Sequence, residues 1–369
     1  MTGPALWAVL IPFFITRAGL AIVAVIAWSA APSVAPCDPC SLSQNPLLDA
    51  LSRWDGAWYL SIARDGYAYQ PGALSNVTFS PLYPLLMRLG AVLLPGGGDD
   101  ALLLSGVIVA NLALVAALVM LVVLVAEEHG ATVATRAVMY VLVFPTSFFL
   151  SAVYPESLFL ALAIASVLQA RRGSWLSSGA LAALAALTRP FGVLLVLPLA
   201  VEYITAHRAG RRPSKAGALA LALPPLAFIG WQAYLYRLTG DPLLTLSAQA
   251  AYGRRPAPPW QAFVDLFDPV KYDSPWLVAG MFVVMAVLVG MSWRTVRPSL
   301  ALYATSLLVA TSSTGTLASF TRYALALFPA FIVLGLAGSR TAVHLAYIAV
   351  ATLLSVILTA MFAQSYWVG

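Results

Sequence analysis

Residues 101–125 read "ALLLSGVIVANLALVAALVMLVVLV" and contain no charged side chain. A helix of that length outreaches the ~30 Å hydrocarbon core of a bilayer at about 1.5 Å per residue. Similar apolar runs recur on both sides of it. Across the 369 residues 61% are apolar and only 9% charged, too greasy a composition for a water-soluble domain. The chain therefore reads as an all-α polytopic membrane protein, a single transmembrane domain over residues 1–369. About eleven transmembrane helices are expected, at 5–30, 102–126, 132–152, 155–170, 174–188, 191–206, 215–238, 276–293, 298–314, 320–338 and 341–363. The first is too long for a signal-peptide core and carries Arg17 within it, so it is expected to be retained as a membrane helix.

Orientation follows from the basic residues, which collect in cytoplasmic loops. With the amino terminus inside, the inner turns hold Arg136, Arg171, Arg172, Arg208, Arg211, Arg212, Lys215, Arg294, Arg297 and Arg340. The net charge of +6 is thereby explained without a nucleic-acid partner. Two long segments then fall on the outer face, residues 31–101 and 239–275. The first includes "PLYPLLMRLGAVLLP" (81–95), interrupted by Arg88 and expected to lie in the interface. It also includes "CDPC", whose Cys37 and Cys40 are the only cysteines. They suit a small loop disulfide or two free thiols, since zinc needs two more ligands.

The same loop holds "LSRWDGAWYLSIARDGYAYQ" (51–70), which sets Arg53, Asp55, Arg64 and Asp65 among five aromatic residues. Its spacing predicts a short amphipathic surface helix ended by Gly66, with Trp54, Trp58 and Ile62 on the apolar face and Asp55 and Tyr59 on an adjoining stripe. Three further ionisable residues stand at outer helix ends: Glu156 in "VYPESLF", Arg189 in "LTRPFG" and Arg322 in "FTRYALALFP". One such residue alone reads as snorkelling to headgroups. Three on one face, each beside an aromatic and a helix-breaking proline, read better as a shared outer cavity. Arginine suits a lipid phosphate through paired, charge-assisted hydrogen bonds. A carboxylate suits a general base for an acceptor hydroxyl, and Asp55 is the first candidate, with Asp65 second because an acid before glycine more often closes a turn. No P-loop, dinucleotide fingerprint or His-rich signature occurs, so neither a nucleotide cofactor nor a metal is expected. Asn76 in "SNVT" reads as a polar loop residue, and Tyr252, Arg254 and Arg255 as contacts to an acceptor or to headgroups.

Five blocks in order, "RWDGAWYLSIARDGY", "FSPLYPLLMRL", "VYPESLFLALA", "LTRPFGVLLVLPL" and "FTRYALALFP", resemble the PIG-V-type mannosyltransferases over residues 53–329. Ser80 stands where that family often has an aromatic. The resemblance implies the GT-C glycosyltransferase fold, with a large first extracytoplasmic loop. It also implies a polyprenyl-phosphate mannose donor, inversion at the anomeric carbon and no cofactor. It places the outer-loop acid at Asp55, the glutamate of the Y-x-E-S-L-F block at Glu156 and the arginine of the last block at Arg322. On this reading Arg322 and Arg189 hold the donor phosphate, Glu156 orients an arginine or the sugar, and Trp54, Tyr154 and Tyr323 line the pocket. The acceptor is a glycolipid, glycan or protein. The Ala-, Leu- and Val-rich composition points to a bacterial plasma membrane with the site outside. Two alternatives stand beside this: a GT-C transferase for another polyprenyl-phosphate sugar, and a lipid-linked-sugar flippase or transporter. The latter would place ionisable groups near the midplane, commonly in two similar halves.

Overall fold

A computed structural model describes residues 3–30, 41–211, 215–242, 244–264, 266 and 275–368. Cys37 and Cys40 lie outside the described residues. Among the described residues every regular element is helical. Five helices are long and apolar enough to cross a membrane: Leu6–Ala30, Gly98–His129, Pro190–Arg208, Pro275–Thr295 and Thr341–Ala363. A sixth span forms if Phe320–Ala326 and Phe328–Ala337, bent by 77°, are taken together.

The remaining expected spans are shorter or broken, and the breaks have local causes. The run 132–152 folds as helix Ala131–Leu142 followed by the 3₁₀ turn Ser147–Leu150. Pro145 lies between them; it supplies no N–H and biases Phe144 away from the helical region. The run 215–238 divides into Lys215–Ala220 and Leu223–Thr239, the latter with proline in its first turn.

The described residues form two compact units. One comprises Met1–Gly66, Tyr83–Leu160 and Thr321–Gly369; the other comprises Tyr67–Leu82 and Ala161–Phe320. The first unit is built around Gly98–His129, where Leu114, Ala117, Leu118, Leu121, Leu124 and Val125 are buried at helical spacing. Asp99 and Asp100 occupy its first turn, where the helix dipole favours anions, and Gly130 at φ 82° ends it. Gly106 on this helix is a point of close approach. The Tyr83 hydroxyl donates to Gly106 O at 3.0 Å, and a β-carbon there would sit 3.0 Å from the Val153 side chain.

Arg17, buried on the first helix, satisfies the break at Pro145. Its Nη2 donates at 2.6 Å to Leu142 O, a carbonyl at the end of the interrupted helix, and its Nη1 at 2.7 Å to Ser147 O in the turn beyond the break. A charge inside a span is thus used for backbone satisfaction.

The second unit packs helices Trp175–Thr188 and Leu223–Thr239 together. Ser166 and Ser178 exchange hydrogen bonds to each other's carbonyl at 2.9 and 2.8 Å. Buried Glu202 accepts from Ser299 Oγ at 2.5 Å and lies 3.4 Å from Arg171 Nε.

Candidate active site

The predicted surface helix forms as Asp55–Asp65 and stops at Gly66, whose φ is 88°. Its buried face coincides with the expected one only in part: Ile62 is buried as expected, but the two tryptophans are not. Gly56, Tyr59, Leu60, Ile62 and Ala63 are buried, whereas Trp54 is 41% exposed and Trp58 half-buried. The cause is Gly56: with no side chain there, this face approaches Ser52 and Val153, and a β-carbon would come 3.3 Å from Ser52 Cβ. The tryptophan stripe is left on the outside.

Trp54 precedes the helix with φ 59° and ψ −116°, a conformation that side-chain-bearing residues rarely take. Tyr154 holds it there. The Tyr154 phenol donates to Arg53 O at 2.8 Å and accepts from Asp55 N at 3.1 Å, spanning the reversal from both ends. Beside it Val153 N donates to Leu51 O at 2.9 Å. Burial first, then the Asp55 carboxylate, push the Tyr154 phenol well above its ordinary range, with Arg322 pulling the other way and Glu156 adding to the rise. The phenol therefore stays protonated and keeps its bond to Arg53 O.

Asp55 and Glu156 each open a helix, the second immediately after Pro155. Both carboxylates meet one guanidinium. Arg322 Nη1 donates to Asp55 Oδ2 at 2.6 Å, and Arg322 Nε lies 3.2 Å from Glu156 Oε1. Around the guanidinium stand the rings of Tyr154, Tyr323, Trp367 and Phe149, with centroids 5.2, 5.4, 5.5 and 5.7 Å from Cζ. Arg322 and Glu156 are sealed, at 3% and 4% side-chain exposure, while Asp55 keeps 18%. Asp55 is thus the charged group of this cluster that solvent or a substrate reaches.

Arg322 reaches this position through the bend at Leu327, which separates its short helix from Phe328–Ala337. Pro329 in the first turn of the second helix starts it anew. Thr146 Oγ1 donates to Thr321 O at 2.8 Å, tying the residue before Arg322 to the chain just after Pro145.

The structure thus brings together Asp55, Glu156, Arg322, Tyr154, Tyr323 and Trp54. Asp65 is not part of the group. It closes the helix that Asp55 opens, about 15 Å away along the axis, and pairs at 2.8 Å with Arg64, itself 2.8 Å from Asp99. Arg189 lies in the second unit, buried between helix Trp175–Thr188 and the turn Pro190–Leu195. Asn76 accepts from Ala68 N at 2.9 Å, Tyr252 donates to Ser75 O at 3.2 Å, and Arg254 donates to Ser319 Oγ at 2.6 Å, all within the second unit. The sequence reading did not single out Asp49, Phe149 or Trp367. Buried Asp49 accepts from Trp28 Nε1 at 2.7 Å and pairs with Arg53 at 2.8 Å, steadying the residues before Asp55. Its spacing four residues before Arg53 was a legible helical signal; Trp367 had no signal beyond being aromatic.

This geometry can be set beside known proteins. A model of the mannosyltransferase (PIG-V) family matches residues 22–210, a region that contains Asp55, Glu156 and Arg189 but not Arg322. GPI alpha-1,6-mannosyltransferase 2 of Mus musculus is 31% identical over 169 residues, covering 44% of this chain and 34% of the mouse protein. Its Rattus norvegicus counterpart is 35% identical over 171 residues, covering 45% and 34%. The match thus spans about a third of the length of each relative. Among solved structures, ArnT from Cupriavidus metallidurans bound to undecaprenyl phosphate superposes with a TM-score of 0.53 at 15% identity, over 95% of this chain and 76% of ArnT. The apo state of ArnT gives 0.51 at 16% identity, over 89% and 59%. The chain is an integral membrane protein with the GT-C glycosyltransferase fold. Since the family's model runs through half of the chain, including both helices that open on carboxylates, it belongs to the PIG-V mannosyltransferase family.

Proposed function

We propose that this protein is an inverting glycosyltransferase that moves mannose from polyprenyl-phosphate mannose to an acceptor hydroxyl at the extracytoplasmic face of a bacterial plasma membrane. The observation that carries this reading is the Asp55 carboxylate, held on one oxygen by a sealed guanidinium and still 18% exposed. A carboxylate so oriented accepts a proton through its other oxygen without rotating away. Membership of the family supports the sugar, and the ArnT likeness, at the level of fold, supports a polyprenyl phosphate carrier.

The acceptor oxygen attacks the anomeric carbon from the face opposite the phosphate. Its proton passes to Asp55, the new C–O bond forms, and the bond to the phosphate oxygen breaks. Polyprenyl phosphate leaves with the electron pair. Arg322 acts first on Asp55 and Glu156, since two carboxylates share its one positive charge. Binding of the leaving phosphate by Arg322 stays in the proposal as a role that begins once Asp55 is protonated. Arg189 as a phosphate ligand rests on the sequence argument alone. Glu156 orients Arg322, and Tyr154, Tyr323 and Trp54 shape the surroundings.

The test is release and transfer of radiolabelled mannose from polyprenyl-phosphate mannose by purified protein, with total bacterial membrane lipid as acceptor. Asp55→Asn is expected to lose about 100-fold or more of turnover, the range of a removed general base. A normally folded Asp55→Asn with wild-type turnover would falsify the base assignment. Turnover with another polyprenyl-phosphate hexose but not with mannose would overturn the sugar.

A further inference from the structure

We propose that Trp367, together with Trp54, forms an aromatic wall that receives a hexopyranose ring beside Asp55. The inference rests on the glycosyltransferase reading and adds a substrate-binding residue to it. The two indoles meet edge to face, with centroids 5.3 Å apart at 67°. Trp54 is exposed and Trp367 half-buried, while Arg322, Glu156, Tyr154 and Phe149 behind them are sealed. With half-buried Tyr323, these two rings are the aromatic surface left open beside the Asp55–Arg322 pair. A carboxylate next to fixed aromatic faces matches a pyranose, whose C–H face stacks on a ring while its hydroxyls donate to the acid.

The alternative use of such tryptophans is anchorage in the headgroup layer, with a free indole N–H turned to water. The geometry disfavours it. Trp54 Nε1 is committed to Tyr366 O at 3.2 Å. Among the described residues the non-glycine positions with positive φ are Trp54 at 59° and Ser365 at 69°, one on each of the two segments that carry the indoles. Such backbone conformations persist where surrounding bonds hold them and collect at functional sites. An anchor requires neither.

Trp367 is also fixed along its chain. On one side Ala363 O accepts from Arg53 Nε at 3.2 Å; on the other Val368 O accepts from Thr321 Oγ1 at 2.8 Å. Residues 363–368 are thus tied to Arg53, two residues before Asp55, and to Thr321, immediately before Arg322. The ring of Trp367 lies 5.5 Å from Arg322 Cζ, so its position is set by the same cation that sets Asp55.

The ring received is the donor's sugar or one on the acceptor, and two assay arms separate them. Hydrolysis of polyprenyl-phosphate mannose without acceptor reads the donor. Transfer to total bacterial membrane lipid at saturating donor reads the acceptor. Trp367→Ala is expected to raise KM in one arm about tenfold with kcat within about threefold of wild type, and Trp367→Phe to recover most of the loss. Trp367→Leu, which keeps bulk without a π-face, is expected to behave as the alanine variant and carries the test if that variant fails to fold. Unchanged KM in both arms with an active wild type overturns the wall alone, as does loss of kcat at unchanged KM in all three variants. A wild type that turns over no polyprenyl-phosphate hexose overturns the glycosyltransferase reading, and the wall with it.

Discussion

At the scale of single residues, the unusual backbone of Trp54 and the phenol of Tyr154 form one device. A residue in such a conformation costs about 1–3 kcal/mol, and Tyr154 offsets that with two hydrogen bonds across the turn. Tyr154→Phe keeps the ring among its neighbours and removes both bonds. Turnover is expected to fall about 10- to 100-fold through loss of Asp55 placement, measurable as kcat on folded protein. The phenol's pKa is raised in the folded state above its ordinary value of 10. Its contribution to stability is thus full below pH 10 and shrinks as the pH rises above it. Unfolding measured against pH should accordingly show a shallower alkaline loss in Tyr154→Phe than in wild type.

Arg322 yields a second prediction at this scale. Removing one partner from a buried ion pair costs about 3–5 kcal/mol, because a charge is left buried and uncompensated. Arg322→Ala strands Glu156 and Asp55 together, so it should destabilise strongly in a denaturation series. Adding Glu156→Gln removes one of the stranded charges and should recover part of the loss, a coupling that a double-mutant cycle reads directly. Strictly additive effects would contradict the shared-guanidinium geometry.

At the scale of elements, the first unit is organised by two interrupted helices. One breaks at Pro145 and the other at Leu327. The first break leaves Leu142 O where water cannot reach it in a membrane, and Arg17 from the first helix fills the need; Thr146, beside that break, also holds Thr321 O on the short helix before the second. Arg17→Met keeps the length and apolar fit of the side chain but deserts Leu142 O and Ser147 O. At about 1–3 kcal/mol per unsatisfied buried group, melting in detergent should drop markedly, while kcat per folded molecule stays near wild type. A variant melting like wild type would show that other groups satisfy those carbonyls.

At the scale of the whole molecule, orientation and metal use are the open expectations. After replacement of Cys37 and Cys40, a cysteine at position 95 should react with a membrane-impermeant thiol reagent in intact cells, and one at position 172 only after the membrane is opened. The reverse pattern would invert the topology inferred from the basic residues. EDTA is expected to change the rate less than about twofold, because Arg322, which is shared between Asp55 and Glu156, can assist the phosphate in place of a metal once Asp55 is protonated.

Much of this was legible in order along the chain. Apolar runs located the helices at 5–30, 102–126, 276–293 and 341–363 to within a few residues, because span length and hydropathy are local properties. Gly66 and Pro155 marked a helix end and a helix start for equally local reasons. Motif order and the outer-face position were enough to name Asp55, Glu156, Arg189 and Arg322 as one group, of which the first unit brings together Asp55, Glu156 and Arg322. What local pattern did not carry was which face of Asp55–Asp65 is buried. Periodicity favoured the bulky tryptophan stripe, whereas packing chose the glycine face, the side on which another backbone fits. Nor did it carry the pairing of Asp55 with a residue 267 positions away, the use of Arg17 to satisfy a broken helix, or the placement of Trp367 over Arg322. By itself, then, the sequence determined a polytopic helical membrane protein and the residue types of its site. Tertiary structure alone decided which of those residues touch, because a buried charge is tolerated only where distant chain segments bring it a partner.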